Sequence, residues 1–274
     1  MRRYFVLFWA FFVFVSALSV RVEVAQADIL ITPTRVVFGE RERFASVTLV
    51  NVSNERKTYE MEWKFFEMQP EGTAYKEVEK PVTEFNLAEH IDFSPRRVTL
   101  DPGVKQRVRF ALRRPSEIPD GDYHVHLKFR VVPDSEAFDE GDREFYAAVR
   151  INLSYTIPII LRSGEVSVAA SIGDLSLFRN ESNNLLVANV AIDREGGPYA
   201  VLGEIRIYHV DEGGRETLVG EVSNAHVFPE ISRRVIGVQL TREVPPTGSL
   251  RVVLSHNNPG DETFVYADKI FPLQ

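Results

Sequence analysis

The stretch Tyr123-His124-Val125-His126-Leu127-Lys128-Phe129-Arg130-Val131 alternates without a break, apolar on odd numbers and polar on even. Successive side chains on an extended chain point to opposite faces. A period of two therefore predicts a β-strand with one face on a core and one in water. The pattern recurs upstream. Tyr59, Met61, Trp63 and Phe65 alternate with Glu60, Glu62 and Lys64, and Val104, Val108, Phe110 and Leu112 alternate with Arg107, Arg109 and Ala111. Turn formers separate the strands: Asp101-Pro102-Gly103, Pro119-Asp120-Gly121, Pro133-Asp134 and Glu140-Gly141-Asp142. Helical periodicity is scarce. Short alternating strands at this spacing predict an all-β chain of antiparallel sandwiches.

A weak internal repeat predicts two immunoglobulin-like sandwiches in tandem. Gln106-Arg107-Val108-Arg109-Phe110-Ala111-Leu112 leads into Ile118-Pro119-Asp120-Gly121 and a strand. Arg233-Arg234-Val235-Ile236-Gly237-Val238-Gln239-Leu240 leads into Val244-Pro245-Pro246-Thr247-Gly248 and another, with the two glycines 127 apart. Thr48-Leu49-Val50-Asn51-Val52 echoes Leu186-Val187-Ala188-Asn189-Val190 in the same chain order. Coincidence between two generic β sequences is the competing explanation. The boundary falls near Arg162-Ser163-Gly164, giving one domain over 28–162 and a second over 165–274, each of ordinary domain size.

The first residues read differently. Arg2 and Arg3 precede an apolar run from Phe5 to Val20, and Ala25-Gln26-Ala27 supplies a small-x-small cleavage site. Residues 1–27 are thus predicted to be a signal peptide, cleaved on export. A membrane anchor is the alternative, but the run is shorter than the roughly 20 residues a spanning helix needs. No later segment approaches such a run, so no membrane insertion of the mature chain is expected.

Composition narrows the function. The chain of 274 residues has no cysteine, which excludes disulfides, thiol catalysis, cysteine–zinc sites and lipid attachment through cysteine. A net charge of −7 lacks the basic footprint of a nucleic-acid partner. The sequence has no Gly-x-Ser-x-Gly, no phosphate-binding Gly-rich loop, no His-Glu-x-x-His and no dinucleotide fingerprint, so neither an enzyme nor a cofactor is predicted. His124 and His126 have a spacing that can hold a metal, but no third ligand cluster accompanies them. A solvated polar face is the expectation, and no metal. Glu60 and Glu62 read as a solvent face shared with Lys64.

Two features ask for a partner. Phe145, Ala147, Val149, Ile151, Leu153, Tyr155, Ile157, Ile159 and Leu161 form one apolar row over 145–161, interleaved with Arg150, Asn152, Ser154 and Thr156. Strands are commonly about 5–6 residues long, so a row of this length exceeds what one sandwich consumes. The surplus at the N-terminal end is available to another chain; the alternative is that the whole row faces its own core. Arg35 stands in Pro33-Thr34-Arg35-Val36-Val37-Phe38, an apolar strand where a bare charge is costly. Its guanidinium presents paired donors that fit a carboxylate. A surface arginine at a strand edge is the plain alternative. The acidic stretch 133–144 reads as a solvated loop.

Several segments of 29–162 resemble the PapD-type periplasmic chaperones of pilus assembly. Ile31-Thr32-Pro33-Thr34-Arg35-Val36-Val37-Phe38 is similar to their first strand, and Ala45-Ser46-Val47-Thr48-Leu49-Val50-Asn51-Val52-Ser53-Asn54 to their second strand and its Asn-rich exit. Phe93-Ser94-Pro95 through Asp101-Pro102-Gly103 resembles the segment where the chain crosses the sandwich. Ile157 to Arg162 resembles the end of the last strand. The resemblance implies a periplasmic chaperone that lends an edge strand to a pilus or fibre subunit lacking one, and delivers it to an outer-membrane usher. It implies Val149, Ile151 and Leu153 as the donated row and Arg35 as the anchor for the subunit's C-terminal carboxylate. Two departures stand out. Asp120-Gly121-Asp122-Tyr123-His124-Val125-His126-Leu127 replaces the family's acidic-Arg-Glu-Ser run, and Pro158 stands where better-known members carry a second, lysine anchor. A fibre subunit or adhesin, and a carbohydrate-binding accessory module, are the rival readings. The first expects a donor extension, yet only Asp28 to Leu30 precede the first matching strand. The second expects exposed aromatic platforms, yet Trp63 lies on a core-facing row and Trp9 in the signal.

Overall fold

The computed structural model describes residues 28–71, 75–132, 154–257 and 263–273. The predicted signal peptide lies outside them. Within the first half, the described residues form ten strands: β1 (Ile29–Thr32), β2 (Val36–Phe38), β3 (Phe44–Asn51), β4 (Lys57–Met68), β5 (Tyr75–Val78), β6 (Ile91–Ser94), β7 (Arg97–Leu100), β8 (Lys105–Leu112), β9 (Gly121–Val132) and β10 (Ser154–Ser163). One sheet runs β1-β3-β8-β6, and the facing sheet runs β2-β10-β9-β4-β5 with β7 also on β4. The chain changes sheets at Pro33, between β1 and β2, and at Pro95, between β6 and β7. Proline has no N–H to give a ladder, so pairing stops where the crossing needs it to stop.

The alternation reads out as predicted on the core side. Val125, Leu127 and Phe129 of β9 are buried against Val47, Leu49, Val108, Phe110, Ile157 and Ile159. Trp63 packs edge-on against Phe93 at 4.9 Å between ring centres, so it is no surface platform. Val104 departs from its predicted row: it lies in the turn before β8 and is exposed. Asn51 ends β3 fully buried. Its Nδ2 donates to Leu100 O (2.9 Å) and Glu55 O (2.7 Å), and its Oδ1 accepts from Ser53 N and Oγ. That amide ties the end of one sheet to the end of the other, with every bond it can make satisfied.

The second half forms β11 (Val168–Arg179), β12 (Leu186–Gly196), β13 (Val201–Val210), β14 (Glu216–Val227), β15 (Arg233–Gln239), β16 (Ser249–His256) and β17 (Val265–Pro272). Sheets β11-β12-β15 and β14-β13-β16-β17 enclose a separate core that includes Val190, Ile192, Ile205, Val238 and Val252. The architecture is two immunoglobulin-like antiparallel sandwiches. The repeat holds in the pairing of the central strands. β15 pairs with β12 as β8 pairs with β3, and β16 lies between β13 and β17 as β9 lies between β4 and β10. Residue for residue it does not. Val108, Phe110 and Leu112 face in, and so do Ile236, Val238 and Leu240, a spacing of 128 rather than the 127 of the glycines. One residue of slip exchanges the two faces of a strand, so the loop lengths before Gly121 and Gly248 absorb the difference.

Removing the Phe110 ring by Phe110→Ala is expected to cost about 3–5 kcal/mol in urea denaturation. Asn51→Ala, which leaves the Leu100 carbonyl buried without its donor, is expected to cost about 1–3 kcal/mol. Arg107→Ala, on the solvent face of β8, is expected to stay within about 0.5 kcal/mol.

Candidate functional site

The polar face of β9 is out of water over its first half, though Arg130 further along remains exposed. His124 and His126, expected on a solvated face, are buried, and so is Asp122. The second sandwich covers them, which alternation within one strand cannot reveal. Met68, Ile160, Ala200, Leu202 and Phe228 form a small apolar cluster of their own at this junction. Around it, polar groups bond across the two sandwiches. The Asp122 carboxylate takes Arg162 in a fork, Nε to Oδ1 at 2.8 Å and Nη2 to Oδ2 at 2.6 Å, and its Oδ2 also accepts the Ala200 N–H at 2.8 Å. Asp122 N donates to Pro198 O (2.8 Å), Val235 N to Pro70 O (2.8 Å), and the Tyr199 hydroxyl to Ser163 O (2.9 Å). Gly121 sits at φ +145°, and a side chain there would meet Pro198 O at 3.0 Å; only glycine lets the two backbones approach so closely.

Arg35 closes the other side of the junction. It is 5% exposed, in the link between β1 and β2. Nη1 donates to His226 Nε2, and Nη2 donates to Asn257 O and Oδ1, both at 3.0 Å. Burial, followed by the charges of Arg35, Arg234 and His126, holds the His226 imidazole well below its ordinary value. His226 is thus a neutral acceptor for Arg35. Arg234, itself buried, donates to His226 O at 2.6 Å and lies over the Tyr75 ring. None of these second-sandwich partners carried a sequence signal: His226, Asn257 and Arg234 lie about two hundred residues from Arg35 and match no pattern on their own.

Arg35 also marks a place on an edge. β2 pairs with β10 in parallel through Val36↔Ile159, Val37↔Ile160 and Phe38↔Leu161. On the opposite side β9 covers β10 along its whole described length, from Ser154↔Arg130 to Ser163↔Gly121. Upstream of Ile159, therefore, no described strand occupies the β2 side of β10. Arg35 immediately precedes Val36, so its backbone stands at the point where that open edge begins. Pro158, the expected position of a second basic anchor, is buried opposite His126 at this same point. Of the described part of the apolar row, Ile157, Ile159 and Leu161 belong to the chain's own core and Tyr155 packs against it. Val149, Ile151 and Leu153 lie outside the described residues.

No metal-binding cluster is formed by His, Asp or Glu among the described residues. No described helix is long and apolar enough to cross a membrane. The acid pairs on β4 are ion-paired at the surface, Glu60 with Arg97 and Arg130 and Glu62 with Lys64.

No family model matches the chain. No curated protein matches it either. Among solved structures, the chain is similar to the YadV chaperone, at 14% identity and a TM-score of 0.45 over 89% of this chain and 100% of that one. It is similar to the class 5 fimbriae chaperone CfaA, at 16% identity and a TM-score of 0.40 over 89% of this chain and 98% of that one. It is also similar to a complex of the CsuC chaperone with the CsuE tip adhesion subunit from the archaic Csu pili of Acinetobacter baumannii, at 12% identity and a TM-score of 0.43 over 88% of this chain and 99% of that one.

Asp122→Ala removes the fork that holds Arg162 and the acceptor of the Ala200 N–H, and is expected to cost about 3–5 kcal/mol. Because each sandwich has its own core, calorimetry of this variant should show the two sandwiches melting apart. A single transition at an unchanged temperature would contradict the role given to Asp122.

Proposed function

We propose that the chain is a periplasmic chaperone that captures a pilus or fibre subunit along β10 and hands it to an outer-membrane usher. The observation that carries the reading is the coincidence of the open edge with Arg35. A strand of a partner laid beside Ser154–Pro158 would gain the outward N–H and C=O groups of β10, and its alternate side chains would meet those of β10 and of the sequence before it. Val149, Ile151 and Leu153 continue the alternation upstream and would supply the apolar row that fills the partner's groove.

The register also gives a direction. β2 runs parallel to β10 and begins just after Arg35. A partner strand that continues the line of β2 and places its C-terminal carboxylate at Arg35 must run parallel to β10 as well. Arg35 is buried, charged and already bonded to oxygen acceptors, Asn257 O and Oδ1. A terminal carboxylate offers the same kind of acceptor with a full charge, and such bonds are roughly twice as strong as neutral ones. Pro158 gives no N–H at the start of the edge, so the single guanidinium carries the end of the strand. The reading is one of binding rather than catalysis, and what supports it is an open strand edge with a guanidinium beside it.

Co-expression of the mature chain with candidate β-rich secreted subunits tests this. The wild type should co-purify with its subunit. Arg35→Ala and Leu153→Asp should each reduce capture by at least tenfold, and Arg107→Ala should not. Capture that survives both substitutions would refute the mechanism.

A further inference from the structure

Three imidazoles from the two sandwiches meet at the junction, and strand capture uses none of them. His124 and His126 come from β9 and His226 from β14. The Phe228 ring stacks on His124 at 4.2 Å and lies 6.2 Å from His126 and 6.0 Å from His226. His126 is boxed further by Phe66 at 5.1 Å and Tyr75 at 5.2 Å.

We propose that His126 and His226 form a proton-operated latch: with both imidazoles neutral the two sandwiches stay closed on Arg35, and their protonation opens the junction. The latch stands on the junction geometry; its consequence for capture, freeing Arg35 for a carboxylate, rests on the function proposed above.

The charges around the cluster decide its response. Arg35 faces His226 from the β1–β2 link, and Arg234 faces it from β15. His126 faces it from β9, and Tyr75 on β5 lies between His126 and Arg234. Glu230, from the link between β14 and β15, is committed elsewhere: its Oε1 sits 3.2 Å from His124 Nε2 and accepts Met68 N at 3.2 Å. Lys64, opposite His126 on β4, turns its ammonium to Glu77 at 2.8 Å, and Asp122 is spent on Arg162. Among the described residues, then, no carboxylate is left to receive a proton charge on His226 or His126. Both ring nitrogens of His126 are buried with no hydrogen-bond partner among those residues.

A proton on His226 would convert the acceptor of the Arg35 bond into a donor and set a third cation between two guanidiniums. Burial and those same charges hold His226 well below its ordinary value; burial and His124 do so for His126. A solvated imidazole titrates near 6.5, so the open form takes the proton first. Closure is fully favoured above that value and is lost as the pH falls below it. Each such histidine can shift the equilibrium by up to about tenfold per pH unit.

Amide hydrogen exchange on the mature chain, without any subunit, reads this directly. The junction amides of Asp122, Ala200 and Val235 report opening, and those of Leu49 and Val190 report the cores. After correction for intrinsic exchange rates, junction protection should fall at least tenfold from pH 7.5 to 5.5 while core protection holds. His226→Gln keeps an acceptor for Arg35 without titrating, and His126→Phe keeps the ring. Each should shrink the loss, and the double variant should abolish it. His209→Gln, whose parent ring bonds Thr247 O inside the second sandwich, should change nothing. A flat wild-type profile, or an equal loss in the double variant, overturns the latch. Because no subunit is present, that result leaves strand capture standing, and failure of capture by a chain with the expected pH profile leaves the latch standing.

Discussion

The Asp122 carboxylate is the interaction on which the arrangement depends. Its side chain is fully buried, it holds Arg162 of β10 in a fork, and it accepts the Ala200 N–H of the second sandwich. One group thereby fixes the end of β10 and the seat of the other sandwich together. A buried charge is tolerated only when it is paired and hydrogen-bonded in this way. The rest of the junction follows from that seat. It decides what covers β9 and where His226 and Asn257 meet Arg35.

The strand pattern follows from elementary chemistry, and much of it is legible in the sequence. Val125, Leu127 and Phe129 face in because alternation on an extended chain leaves them nowhere else. The sheet changes fall at Pro33 and Pro95. The repeat points correctly to a duplicated pairing of the central strands, while its residue spacing misleads by one because loop length is free to vary. Val104 shows the other limit: an apolar residue next to Pro102-Gly103 belongs to the turn, whatever its neighbours suggest.

The junction is illegible for a different reason. His124 and His126 occupy the polar phase of a clean alternation, and nothing in β9 says whether that phase meets water or another domain. Burial of Arg35 can be anticipated from its apolar neighbours Val36, Val37 and Phe38. Its bonds to His226 and Asn257 cannot, since they depend on how two sandwiches dock. The same holds for the open edge of β10. The sequence shows a long apolar row; only the pairing of β2 with Ile159–Leu161 shows where cover ends, and that it ends beside Arg35.

The central claim is that a partner strand adds to β10 on the side that β2 leaves open. Residue-resolved amide exchange of the chain with and without its captured subunit tests it most directly. Between Ser154 and Ile157, alternate N–H groups point to β9 and away from it. The account predicts that those pointing away gain strong protection on capture while those bonded to β9 barely change. Capture with the outward amides still exchanging freely would contradict it.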